Sequence, residues 1–247
     1  MIMSGLPSEL YGEKIPVPEA AANIHKQIVS NLTYLEKSDI SSCLEPGFRN
    51  LFNDTLLLFE QYQTVVLNHS SIKCRCSRKC CSCCYHWVED VNSFEAEIIT
   101  QYIREKIPAK IPSILSRCVE DQAELERLYT FVQKKLSDLH EDEQQIDEID
   151  LLLSVFYQSR RMCPLSDSEG LCMVYEVRPL TCRIYVSFSD PGLCDPAYIN
   201  DEYIPTYLLN LEEEANEILD RLHFKYQKFK DDTGLRSLLI KYLSIGT

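Results

Sequence analysis

Ten of the twelve cysteines in this 247-residue chain fall into two groups. Cys74, Cys76, Cys80, Cys81, Cys83 and Cys84 lie within eleven residues, in the segment C-R-C-S-R-K-C-C-S-C-C. That segment holds two interleaved CxxC pairs, Cys80/Cys83 and Cys81/Cys84. A CxxC turn lets two thiolates converge on one cation, at about 2.3 Å for zinc. Cys163, Cys172, Cys182 and Cys194 form the second group, with eight and then nine residues between the first three. Those gaps are too long for one turn and suit ligands arriving from successive loops.

The expected metal ligands are Cys76, Cys80, Cys83 and Cys84 from the first segment and Cys163, Cys172, Cys182 and Cys194 from the second. Cys74, Cys81 and His86, two residues after Cys84, are further candidates. Eight thiols suit two separate four-thiolate sites, a thiolate-bridged multinuclear site, or an iron–sulfur cluster with thiols to spare. The expected cofactor is therefore zinc or iron, as single ions or as an iron–sulfur cluster. Disulfide staples fit less well. Met1–Tyr11 has neither the basic start nor the apolar stretch of an export signal, and bridges from vicinal cysteines are strained. Thiol redox chemistry without metal, or burial as inert thiols, would also use cysteines, but neither needs so many side by side. Cys118 lies on an apolar helical stripe and Cys43 precedes Leu44, so both read as small core residues.

The charge balance narrows the partners. Lys and Arg number 25 against 38 Asp and Glu, a formal net charge of −13. Such a chain repels phosphate, so metal ions are expected as partners rather than nucleic acid or anionic membrane. Yet basic residues gather beside the sulfur: Lys73, Arg75, Arg78 and Lys79 in one segment, Arg160, Arg161, Arg178 and Arg183 in the other. Four thiolates on one zinc ion carry a formal −2, and nearby cations lower the cost of that charge. Arg178 and Arg183 flank Cys182 and are expected to surround the thiolates, bonding sulfur or a neighbouring carboxylate such as Glu176. Only seven glycines occur, no two within five positions, which excludes the glycine-rich cradles of nucleotide sites. GxSxG and HExxH are also absent.

C-C-S-C-C at Cys80–Cys84, C-P-L at Cys163, Cys172, then V-Y-E-V-R-P-L-T-C-R-I-Y and Cys194 together resemble the YkgJ-type cysteine-cluster family, described as a zinc- or iron-chelating domain. Cys80, Cys83 and Cys84 match its first motif. Cys163, Cys172, Cys182 and Cys194 match its second, with Tyr175, Glu176, Arg178, Pro179 and Arg183. The family's first cysteine falls at Ser77 here, next to Cys76 and near Cys74. The resemblance covers residues 74–194 and implies a metal-binding protein of unsettled activity, with Tyr175, Glu176, Arg178 and Arg183 around the ligands. A related motif occurs in flagellin lysine N-methylases. A metal-dependent modifying enzyme, methyl-transferring or redox, is thus a second expectation, and a metal carrier or sensor a third.

The elements that must position these residues read as helices. Ile24, Ile28, Leu32 and Leu35 recur at helical spacing, as do Phe48, Leu51, Phe52, Thr55, Phe59 and Tyr62. Asn92 or Ser93 can cap a helix bearing Phe94, Ile98, Ile99, Tyr102 and Ile103, closed by Pro108 and Pro112. A longer helix carries Ile114, Leu115, Cys118, Leu125, Leu128, Val132 and Leu136. Acidic His140–Asp150 leads into a helix ending near Tyr157. Ile204–Phe229 and Leu235–Leu243 complete the set, with short strands at Met173–Tyr175 and Ile184–Phe188. The fold class is mainly α: one helical domain, residues 1–247, built around a loop-borne cysteine region at 74–194 and flanked by helical segments 17–68 and 204–245. The longest apolar runs, Leu56–Phe59 and Leu151–Leu153, are far short of the roughly 20 residues that span a bilayer. A cytoplasmic protein is expected.

Overall fold

The structure, a computed structural model, describes residues 9–10, 13–14, 17–69, 73–76, 80–137, 147–198, 206–230 and 234–245. It is mainly helical. Helices α1 (Glu19–Lys37), α2 (Pro46–His69) and α6 (Glu213–Tyr226) form one layer of packing. Helix α1 buries Ala21, Ile28, Leu32 and Leu35, and α2 buries Phe48, Phe52, Phe59 and Tyr62, each at the spacing that puts one stripe on one side. Pro46 occupies the first position of α2, where a missing N–H costs nothing. Phe94 enters this core from α3 (Ser93–Lys106), edge-on to Phe52 at 5.0 Å.

Helix α3 joins the two halves of the molecule. Every residue from Ser93 to Thr100 is buried, because one side packs on α6 and another on α7 (Leu235–Ser244). The second core includes Ile99, Ile103, Ile114, Cys118, Leu235, Leu238, Leu239 and Leu243, with α4 (Ile111–Ser137) as its third wall. Helix α5 (Glu148–Gln158) packs along α4, where Trp87, Leu128, Val132, Leu152 and Phe156 form a smaller cluster. Asp147 caps α5 by accepting from the amides of Ile149 and Asp150. The rest of the acidic approach, 140–146, lies outside the described residues, as do Arg78 and Lys79.

Two local expectations are corrected. The helix expected from Ile204 starts only at Glu213; Thr206–Leu208 is instead strand β4, antiparallel to strand β3 (Tyr185–Ser187). Strands β1 (Glu9–Leu10) and β2 (Glu13–Lys14) form a separate pair. A free partner strand explains the switch, since Leu209 also donates to the Ile184 carbonyl at 2.7 Å, and Thr and Tyr suit an extended chain. The helix also stops at Tyr226, three residues before Phe229. The strand expected at Met173–Tyr175 is a turn: Val174 is buried in the second core and Tyr175–Val177 winds into one 3-10 turn. Among the described residues, no helix is long and apolar enough to cross a membrane.

A buried ion triad ties the second half together. Asp121 of α4 accepts from Arg236 of α7 at 2.7 Å and from Arg161, beyond α5, at 2.6 Å. Arg236 is 0% exposed and lies over the rings of Trp87 at 4.7 Å and Phe156 at 5.2 Å. Removing the carboxylate leaves a charge that water cannot reach. Asp121→Ala is therefore expected to cost about 3–5 kcal/mol of stability, measured by urea unfolding. A loss below about 1 kcal/mol would show that Arg236 finds another partner.

Candidate metal centre

The connection between α2 and α3 and the long connection between α5 and α6 meet beside α3. In the first, the 3-10 turn Ser82–Tyr85 carries Cys83 and Cys84, with Cys84 N donating to Cys81 O at 2.8 Å. The amide of Cys163 then donates to Cys84 O at 2.7 Å, joining the two segments at their cysteines. Cys163 is buried in the second core, with Cys84 and Cys172 packed against it.

The eight expected ligands lie near one another in two adjoining sets. Cys83 has Cys76, Cys80 and Cys194 near enough for their charges to act on it. Cys182 has Cys84, Cys163 and Cys172. Cys83 also feels Cys84, its chain neighbour, so the groups adjoin at one peptide bond. The division crosses the two segments: Cys194 joins the early cysteines, and Cys84 joins the late ones. Cys74 is hydrogen-bonded to Cys76, and Cys81 neighbours Cys84. Gly170, at φ +80°, makes room for Cys81, whose Sγ would lie 3.4 Å from a Cβ there.

Different elements hold each group. For the first, Cys76 Sγ accepts from Ser187 N at 3.1 Å, and Arg75 N donates to Ser187 O at 2.8 Å. The turn Pro191–Cys194 packs on Ser82–Tyr85, and Tyr157 OH donates to Cys194 O at 2.6 Å. For the second, Arg117 of α4 donates to four carbonyls, of Met162, Cys163, Pro164 and Ser166, between 2.8 and 3.2 Å. The amide of Leu180 donates at 2.8 Å to Glu95, the same buried carboxylate that accepts from Asn92 N at the start of α3.

The two arginines within the motif differ in their partners. Arg178 and Arg183 both favour the thiolate of Cys172, and Arg178 that of Cys182. Arg183 is buried, but its carboxylate partner is Glu60 of α2 rather than Glu176. It also bonds the carbonyls of Arg178 and Glu176, each at 3.0 Å, and of Tyr175 at 3.5 Å. Arg178 lies 4.3 Å over the Tyr175 ring, and Glu176 bonds Tyr102 of α3. His86 is stacked on Tyr157 at 3.8 Å and 9°, and burial holds its imidazole down to about 4, so it is neutral. Arg117, Glu60 and Tyr157 have no sequence signal. Glu95 does, standing three residues after Asn92 in a capping-box pattern.

The thiols are crowded and shielded. Burial, then neighbouring sulfur, pushes Cys83 and Cys84 up to about 12; burial is also the main cause that carries Cys76 and Cys172 to about 11. Cys76 and Cys83 are exposed as residues, but protein surrounds their sulfur atoms closely enough to disfavour charge. No protein family, no curated protein and no solved structure matches the chain. Among the described residues, no three His, Cys, Asp or Glu side chains converge tightly enough to hold a metal ion as they stand. The sulfurs are neighbours, and closing either group on a cation requires them to draw together. The donor chemistry of both groups, four soft sulfurs each, fits zinc or iron.

A pH dependence follows for metal-free protein. Thiols whose pKa is higher folded than unfolded favour the folded chain at neutral pH. That contribution is lost as the pH rises from the ordinary thiol value of 9.0 toward 12. The urea midpoint of protein kept with chelator and reductant should fall between pH 8 and pH 11. A constant midpoint would show that the thiols ionise freely in the folded state.

Proposed function

We propose that this chain is a cytoplasmic metal-binding protein with two four-cysteine centres, one at Cys76, Cys80, Cys83 and Cys194 and one at Cys84, Cys163, Cys172 and Cys182. The observation that carries this reading is the meeting of the two cysteine segments, where Cys163 N donates to Cys84 O and the turn Pro191–Cys194 packs on Ser82–Tyr85. The resemblance to the YkgJ-type pattern, which includes seven of these eight residues, supports it too. A bound zinc or iron centre would supply the positive charge that lets four shielded thiols ionise together.

The chain's own residues prepare for that charge. Arg178 and Arg183 offset negative charge at Cys172, and Ser187 N donates to Cys76 Sγ. The neutral His86 ring, stacked between Tyr157 and Tyr185, fills space beside the sulfurs with aromatic surface. Ligands drawn from segments far apart in sequence would also close long loops, so that binding and folding reinforce each other. A reducing compartment keeps free thiols available, which is the basis for placing the protein in the cytoplasm.

Anaerobic purification followed by metal analysis and an absorption spectrum tests this. Zinc is silent in the visible range, and an iron–sulfur cluster absorbs there. Each group of four should hold one centre. Cys83→Ser or Cys182→Ser should lose metal and stability. Cys118→Ala, in the core beneath, should keep the metal and cost about 1–2 kcal/mol. Metal-free protein that is fully folded with every thiol free would overturn the proposal, as would equal metal loss in all three variants.

A further inference from the structure

The start of α3 is closed by a histidine from another helix. Ser93 N donates to Nδ1 of His223, on α6, at 3.1 Å, and Ser93 Oγ donates to the His223 carbonyl at 2.7 Å. A backbone N–H can only donate, so Nδ1 carries no proton and the ring is neutral. Its other nitrogen, Nε2, lies 3.2 Å from the side-chain amide of Gln227. Both His223 and Ser93 are buried. A proton on Nδ1 turns the acceptor into a donor that faces a donor. It also sets a positive charge at the helix end where the dipole is itself positive. Burial holds the imidazole below its ordinary value of 6.5.

The surrounding charges do little to offset that cost. Asp220, on the preceding turn of α6, favours the protonated ring, but less than burial disfavours it. On α3, Glu95 is taken up by Asn92 and the Leu180 amide, and Glu97 by Lys228 and the Cys43 thiol. Glu36 of α1 pairs with Arg221, and the Tyr242 hydroxyl of α7 lies 3.5 Å from the Ser93 carbonyl. His25 of α1 makes a similar bond, its Nε2 accepting from Glu212 N at 3.3 Å, but Glu212 Oε2 lies 3.9 Å from its other nitrogen. A protonated His25 thus has a carboxylate beside it, whereas a protonated His223 loses the Ser93 amide.

We infer that His223 is an acid-sensitive latch, whose protonation frees the first turn of α3 and, with it, the loop that carries Cys182. The coupling runs through Glu95. That carboxylate closes the same turn by accepting from Asn92 N, and it holds the Leu180 amide two residues before Cys182. Glu95 by itself responds to acid with the opposite sign, because burial raises its carboxyl and a proton there relieves the cost of a buried charge. The His223 ring binds its proton less readily in the folded chain than in the unfolded one. The latch is therefore fully closed above pH 6.5 and weakens as the pH falls below it. Each pH unit in that window shifts the ratio of closed to open by up to about tenfold. Protein groups alone form the latch, which needs no bound metal.

Hydrogen exchange read by mass spectrometry on the full-length protein, wild type against His223→Asn, tests this at pH 7.5 and pH 5.5. The asparagine carbonyl can accept from Ser93 N but takes up no proton. From pH 7.5 to pH 5.5, the ratio of wild-type to variant exchange should rise by up to about tenfold, in segment 93–97 and in segment 176–184 alike. Taking the ratio at each pH cancels the intrinsic acid dependence of exchange and any loss of metal common to both proteins. A ratio unchanged by pH overturns the latch, as does a rise at 93–97 with none at 176–184. Should His223→Asn fail to fold, an NMR titration of the wild-type imidazole decides. A midpoint below 6.5, with the Ser93 and Leu180 amide signals moving together with it, supports the latch. A midpoint at or above 6.5, or an unmoved Leu180 amide, overturns it.

Discussion

Thiols crowded into packed protein can stay protonated and neutral, or ionise together around a cation. Separate thiolates at these positions are unfavourable, because burial strips water from the sulfur and each neighbour adds like charge. Cys182 shows the constraint most strongly: burial raises its thiol far above the ordinary value, and Cys163, Cys172 and Cys84 raise it further. Much of the fold around the sulfurs can be understood as a response to that electrostatic situation. Arg178 supplies positive charge near Cys172 and Cys182, and the Ser187 amide donates to Cys76 Sγ.

The helices supply rigidity where the loops have none of their own. Among the described residues, the α5–α6 connection holds only short strands and 3-10 turns, so many of its backbone groups find partners elsewhere. Arg117 and Arg183 answer that need with forked guanidinium groups, each binding several carbonyls at once. Glu95 does the same for an amide and also starts α3, so one carboxylate links the entry of the central helix to the turn bearing Cys182. A chain with a net charge of −13 thus places some of its few cations inside, where carbonyls and carboxylates meet them.

Aromatic packing completes the surroundings. Tyr157 and Tyr185 flank the neutral His86 ring, and Tyr157 also bonds the Cys194 carbonyl, tying α5 to the last cysteine. On the opposite side, the Asp121–Arg236–Arg161 triad joins α4, α7 and the approach to Cys163, with Arg236 bonding the His86 carbonyl at 3.4 Å. The cysteine region is thereby continuous with the second core.

Helices α1 to α5 and α7 were legible in the sequence because an amphipathic stripe is a local property: Ile28, Leu32 and Leu35 lie on one face whatever they pack against. The cysteines were legible as a cluster for a similar reason, since two CxxC pairs and vicinal thiols are visible in the chain itself. What the residues cannot state locally is who meets whom. The exchange of Cys84 and Cys194 between the two groups depends on how two distant loops cross, and the switch of Thr206–Leu208 from helix to strand depends on Tyr185–Ser187 lying alongside. Arg117 looks like any solvated residue of an amphipathic helix until a loop some 45 residues later brings its carbonyls within reach. Periodicity and spacing act along the chain and are written in it, whereas charge pairing and sulfur grouping act through space and exist only once the helices have packed.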